Sequence, residues 1–206
     1  MKMDKDNDTR VRLLQSAKSE FLECGFAKAS LRTICKNAGV TTGALYFFFQ
    51  NKEDLLKSLV EPPLRGLKDI ISRHFAFEME TDPAFVSAGA DSADIAAAKE
   101  VVRFLYKYHD EFMILLTKSQ GSEYEDIADK FADMAEEHYK KLVNIAAKTH
   151  GIIKPSRYML HWMSHLQINA FVHLLIHEPD EKKALKEIEQ IVIFLINGWL
   201  GMFGSK

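Results

Sequence analysis

With 206 residues, 47% of them hydrophobic and 11% aromatic, the chain has apolar material for one substantial core or two small ones. Ten Gly and five Pro against 14 Phe and 8 Met exclude a disordered or collagen-like chain, and two cysteines without CxxC spacing, Cys24 and Cys35, exclude a disulfide framework or a cysteine-rich zinc site. The formal net charge of -2 conceals an asymmetry, because residues 1–52 hold 9 Lys and Arg against 5 Asp and Glu while residues 53–206 hold 18 against 24, so a basic head suited to a polyanion precedes an acidic body.

Helical spacing recurs along the whole chain and strand alternation is nearly absent. A first helix, entered near Asp8 or Thr9, places Val11, Leu14, Ala17, Phe21 and Leu22 on one stripe and stops at Gly25, with Phe26 covering its last turn. Ser30 is the expected N-cap of a short helix carrying Leu31, Ile34, Cys35 and Ala38, and Gly39 and Val40 form the turn behind it. Thr41 caps a third helix from Thr42 to about Phe48, and Asn51 with Asp54 three residues on resembles a capping box opening a fourth. That helix meets Pro62 and Pro63, where a kink is expected, and resumes through Leu64, Leu67, Ile70 and Ile71.

Residues 79–93 read as the one long loop. Further helices are expected from Asp94 to Tyr108, Glu111 to Lys118, Glu123 to His150, Ser156 to His177 and Glu181 to Phe203, the third bearing an apolar stripe that includes His138. The longest apolar run, Ile191 to Ile196, is far shorter than the roughly 20 residues of a membrane helix, and the charged first 20 residues lack a secretory signal's apolar stretch. A cytoplasmic location is the expectation.

Residues 30–52 carry the functional pattern. Two short helices around a Gly-containing turn have the layout of a helix-turn-helix, with the second as reading helix. Its start, Thr41, Thr42, Gly43 and Ala44, is small enough for close approach to a groove, and its hydroxyls suit phosphates or base edges. Tyr46 and Phe47 follow, and Lys52 adds a cation at a helix N-terminus.

The run from Arg10 to Leu56 resembles the N-terminal domain of the tetracycline-repressor-like (TetR) family. The resemblance rests on Gly25 and Phe26, Ser30, Ile34, Ala38 to Thr41, Gly43, Leu45 and Tyr46, Phe49, Lys52, Glu53 and Leu55, all in register. It implies an all-α fold, in which residues 1–52 form a three-helix DNA-binding domain and residues 53–206 a helical effector-binding and dimerisation domain. It further implies operator contacts from Arg32, Thr41, Thr42, Gly43, Ala44, Tyr46, Phe47 and Lys52. Two positions depart from the pattern: Phe48 stands where the family often has a phosphate-contacting His, and Cys35 replaces the usual Ala.

In the body, Leu185, Ile188, Val192, Leu195, Ile196, Trp199 and Phe203 form an apolar stripe, expected as half of a four-helix homodimer interface. Phe104, Tyr108, Phe112, Phe131, Tyr139, Trp162 and Phe171 are candidates to line an effector pocket, although aromatics at this spacing are more often ordinary core. His161 with His165 and His173 with His177 have metal-compatible spacing, but no compact ligand set accompanies them, so no metal or cofactor is expected. No GxSxG, P-loop or GxGxxG motif is present, which speaks against an enzyme. The resulting expectation is a repressor released from a palindromic operator by a small-molecule effector. The alternative is a small-molecule or metal-binding sensor of the same fold with little DNA affinity.

Overall fold

The computed structural model describes residues 2–80 and 92–201, with side chains from residue 6 onward. Among these residues there are nine α-helices and no strand: α1 Lys2–Lys28, α2 Leu31–Ala38, α3 Thr42–Phe48, α4 Lys52–Glu80, α5 Ser92–Lys107, α6 His109–Thr117, α7 Ile127–Thr149, α8 Arg157–His177 and α9 Glu181–Leu200. The all-α reading holds. Most of the expected loop, and Phe203 from the expected interface, lie outside the described residues. No described helix is long and apolar enough to cross a membrane.

Two compact units emerge, Met1–Gly66 with Tyr108–Ile127, and Leu67–Lys107 with Ala128–Lys206. The division at residue 52 came from the family resemblance and the charge asymmetry, whereas these units follow packing, so α4 contributes its first half to one and its second half to the other. Pro62 and Pro63 lie inside α4 without ending it. Pro63 is buried in the row with Leu59, Val60, Leu64 and Leu67, so apolar packing offsets the lost backbone donors.

The first unit is built on α1. Leu13, Ala17 and Phe21 are fully buried at four-residue spacing, as are Ile34 of α2, Leu45 of α3 and Leu55 and Leu56 of α4 in the same unit. The expected stripe was displaced at its start, since Val11 is exposed and Leu13 is inside. Gly25 breaks the helix as expected, but at φ 76 and ψ 164, an extended conformation at positive φ instead of a left-handed helical cap. That geometry turns the Phe26 N–H outward to donate to the Lys118 carbonyl at 2.7 Å, tying α1 to the residues after α6.

The second unit has one cluster of Ala98, Val102, Leu174, Ala184, Ile188 and Val192, packed between α5, α8 and α9. Another joins Val143, Leu160, Met163 and Trp199. Residues of the expected interface stripe enter these clusters. Ile188, Val192, Leu195 and Trp199 are buried within the chain, and Leu185 and Ile196 pack against the first cluster, so the stripe belongs to the unit's own core. The large apolar side chains that α9 leaves outside are Ile193 and Phe194.

Candidate nucleic-acid interface

The α2–turn–α3 motif is assembled by local hydrogen bonds that the sequence announced. Ser30, in extended conformation, accepts from the Thr33 N–H and caps α2, and Thr41 accepts from the Ala44 N–H and caps α3. Between them Gly39 takes a left-handed conformation, φ 66 and ψ 36, with its N–H on the Cys35 and Lys36 carbonyls. A Cβ in that conformation is strained, and Arg12 already stands 3.6 Å from where it would lie. At the start of α4 the capping box is shifted by one residue: Asn51 accepts from the Asp54 N–H at 2.8 Å, while Asp54 reaches back to the N–H of Gln50 at 2.9 Å.

A set of long-range bonds holding this motif was not foreseen. Arg12 Nη1 donates to the Ala38 carbonyl at 3.0 Å, Ser16 Oγ donates to the Ile34 carbonyl at 2.9 Å, and Glu20 Oε1 accepts the Ser30 N–H at 3.0 Å. These α1 residues are four apart, and their partners run in the opposite direction along α2, also four apart. The two helices are therefore antiparallel and fixed in one register by polar contacts beside the apolar stripe. Polar residues at 12, 16 and 20 flanking buried 13, 17 and 21 are the signal that reading only the apolar period passes over.

With Leu45 and Phe49 buried, α3 presents its other face outward: Thr41, Thr42, Gly43, Tyr46 (56% exposed) and Phe47 (75% exposed), with Ala44 half-buried. Arg32 is exposed on α2 and has no hydrogen-bond or ion-pair partner among the described residues. Two open aromatics beside exposed threonines form a surface able to meet phosphates and base edges. Phe48 is half-buried, its ring edge-on to Phe47 at 5.0 Å.

Lys52 differs from the expected phosphate contact. Its ammonium donates to the carbonyls of Phe26, Ala27 and Ala29 at 2.6, 3.2 and 3.2 Å and lies 4.6 Å from the centroid of the Phe26 ring. The charge thus satisfies carbonyls at the end of α1, and all three of its donors are used. Lys52→Met, which keeps the stem over Phe26, is expected to lower stability by about 1–2 kcal/mol, charge-assisted bonds being discounted for partial exposure. The salt dependence of DNA binding should stay unchanged in the same variant. A slope flattened by about 0.9, one phosphate contact, in a titration of affinity against salt would return Lys52 to the DNA.

The aromatics expected around an effector pocket are distributed over both units. Tyr108 and Phe112 belong to the first unit, with Phe112 in its core, whereas Phe104, Phe131, Tyr139, Trp162 and Phe171 belong to the second. Within the second unit Phe131 is buried, Phe171 packs on the α5–α8–α9 cluster, Tyr139 packs beside Trp199 at 4.9 Å, and Trp162 is exposed. Aromatics spaced for burial mostly became core. A groove of about 510 Å³ in this unit is lined by Asp133, Glu136, Glu137, Lys140, Arg157, Tyr158 and His161, none of them in the expected set. Glu136 there accepts from Lys140 at 2.7 Å and pairs with His161 at 2.8 Å, which together hold its carboxyl below the usual range. His161 and His165 lie ring to ring at 4.4 Å, and His173 and His177 at 4.3 Å, as two separate pairs on α8.

Residues 13–59, which span this motif, match a family model described as "Bacterial regulatory proteins, tetR family". The chain is 36% identical over 76 residues to the HTH-type transcriptional regulator TtgR of Pseudomonas putida, covering 37% of this chain and 36% of that protein. It is 40% identical over 52 residues to the HTH-type transcriptional regulator UidR of Escherichia coli, covering 25% of this chain and 26% of that protein. The matched stretch thus spans about a third of the length of the first relative and a quarter of the second. The fold extends further than the sequence likeness. A TetR-like transcriptional regulator from Rhodococcus sp. RHA1 superposes with a TM-score of 0.62 at 14% identity, over 94% of this chain and 96% of that one. NalD of Pseudomonas aeruginosa, a repressor of a multidrug efflux pump, superposes with 0.54 at 22% identity over 91% and 98%. Over residues 13–59, which run from α1 into α4, the chain is thus similar to the tetR family of bacterial regulatory proteins.

Proposed function

We propose that this protein is a cytoplasmic, homodimeric transcriptional repressor that reads a two-fold symmetric operator and is released from it by a small molecule bound in residues 53–206. The observation that carries the reading is the outward face of α3, where Thr41, Thr42, Gly43, Tyr46 and Phe47 are exposed on a helix anchored by buried Leu45. Arg32 stands on the supporting helix, while Lys52 acts as an internal anchor. The division of labour places DNA contact in residues 1–52.

Two-fold symmetry is supported by the second unit. Along α8, Tyr158, Trp162 and Ile176 are exposed, and along α9, Ile193 and Phe194, more apolar surface than these two helices need for their own core. Gly198 of α9 has open space where a Cβ would stand, which suits close approach of a second helix. A dimer built on α8 and α9 would carry two reading helices to major grooves about 34–36 Å apart.

The test is selection of bound duplexes from a random DNA pool by the purified protein at near-physiological salt. An inverted repeat is expected, and Thr42→Ala and Tyr46→Ala should each weaken binding to it by about 1–3 kcal/mol without altering the melting temperature. A folded dimer that enriches no repeat would favour the sensor reading, in which Phe48 in place of the usual His has left the motif without useful DNA affinity.

A further inference from the structure

The last two turns of α4, the first turn of α5 and the middle of α7 converge within the second unit. His74 and Glu78, four residues apart on α4, present ligand atoms on one face, and Asp94 approaches from α5, so that one atom from each of the three lies within 4.8 Å of the others. All three side chains are half-buried. The second oxygen of Glu78 is held at 2.6 Å by Nε2 of His138, a ring only 5% exposed. His138 is itself fixed by parallel stacking on Phe75, with centroids 3.8 Å apart.

We propose that His74, Glu78 and Asp94 bind a divalent transition-metal cation, with His138 as the positioning residue that orients the Glu78 carboxylate from outside. One imidazole and two carboxylates are a ligand set for zinc, manganese or ferrous iron, and three protein ligands leave a coordination position for water or a small anionic molecule. Ligands at about 2.0–2.1 Å from a tetrahedral ion stand about 3.3 Å apart, so the three atoms need close in by only about an ångström and a half at most. A carboxylate that ligates through one oxygen and is hydrogen-bonded through the other is the usual outer-shell arrangement, and stacking on Phe75 gives the orienting ring a single position. The two carboxylates stand together in a half-buried place, with Glu78 also 3.6 Å from Nε2 of His74. Their field acts on the neighbourhood: burial, reinforced by the charges of Glu78 and Asp94, pushes the Tyr139 phenol up.

The group of Asp133, Glu136 and His161 is a weaker site, because Lys140 already sits on the Glu136 carboxylate at 2.7 Å and supplies the positive charge. The proposal is independent of DNA binding and stands or falls without it. The experiment is calorimetric titration of Zn²⁺ into the full chain after removal of metals by chelator, with thermal melts of the same samples. One equivalent per chain should bind and raise the melting temperature. His74→Ala, Glu78→Gln and the near-isosteric Asp94→Asn should each weaken uptake more than about tenfold, and His138→Gln by about 10–100-fold, with His161→Ala unchanged. Absence of saturable uptake by the wild type would overturn the site, as would uptake that persists when His74 and Asp94 are replaced together.

Discussion

Leu45→Ala is expected to abolish operator binding by unseating the reading helix while the second unit stays folded. The helix α3 has seven residues, well short of the roughly 12–15 that even a favourable helix needs to persist in water. It exists because one side chain inside it, Leu45, is buried completely in the core built on α1 and α2, with Phe49 closing its end. Truncating a fully buried leucine costs about 2–5 kcal/mol, a large part of the roughly 5–15 kcal/mol that a domain possesses. Phe47→Ala on the opposite face is the matched control, expected to change stability by less than about 0.5 kcal/mol and to act on DNA alone. Urea melts with anisotropy measurements on an operator duplex separate the two, and a Leu45→Ala protein of unchanged midpoint and affinity would refute the anchoring role.

The second large effect is expected at Phe194, where replacement by Asp should convert the dimer to a folded monomer. Phe194 is 71% exposed on α9, and in a two-fold interface each copy would bury it. An unpaired carboxylate in its place costs about 3–5 kcal/mol at a buried site, raising the dimer dissociation constant by more than about a hundredfold. Ile188→Ala, earlier on the same helix, should behave in the opposite way. Ile188 is fully buried in the α5–α8–α9 cluster, so its truncation lowers the melting temperature without acting first on association. Sedimentation velocity reads the first variant and circular dichroism the second. A Phe194→Asp protein that sediments as a dimer would place the interface elsewhere.

The reading motif was legible because its determinants are local. Ser30, Gly39 and Thr41 act on backbone groups within four residues, and the spacing between them is enough to predict two caps and the turn. Lys52 and Arg12 were not legible in the same way. Each bonds carbonyls more than twenty residues distant, and nothing in a lysine at a helix start distinguishes a phosphate contact from an internal anchor. The His74, Glu78 and Asp94 cluster shows the same limit from the other direction. The i, i+4 pair on α4 is visible in the sequence, but the third ligand comes from another helix, and His138 was seen only as one member of an apolar stripe.

By itself the sequence determined that the chain is helical, where its described helices begin and end apart from the starts of α1, at Lys2 instead of Asp8 or Thr9, and of α7, at Ile127 instead of Glu123, and that residues 30–52 form a helix-turn-helix with α3 outward. Period, caps and breakers carry that information because they act over one helical turn. Only the tertiary structure decided which apolar face of α9 is core. Periodicity picks out the stripe through Ile188, Val192, Leu195 and Trp199, but residues 191–196 are apolar all round, so whether that stripe or the face of Ile193 and Phe194 meets the chain's own helices falls to the residues of α5 and α8 that pack there. It likewise decided that the expected pocket aromatics divide between two units. Each of these outcomes depends on burial against distant segments, whose free energy outweighs the local preferences that a sequence displays.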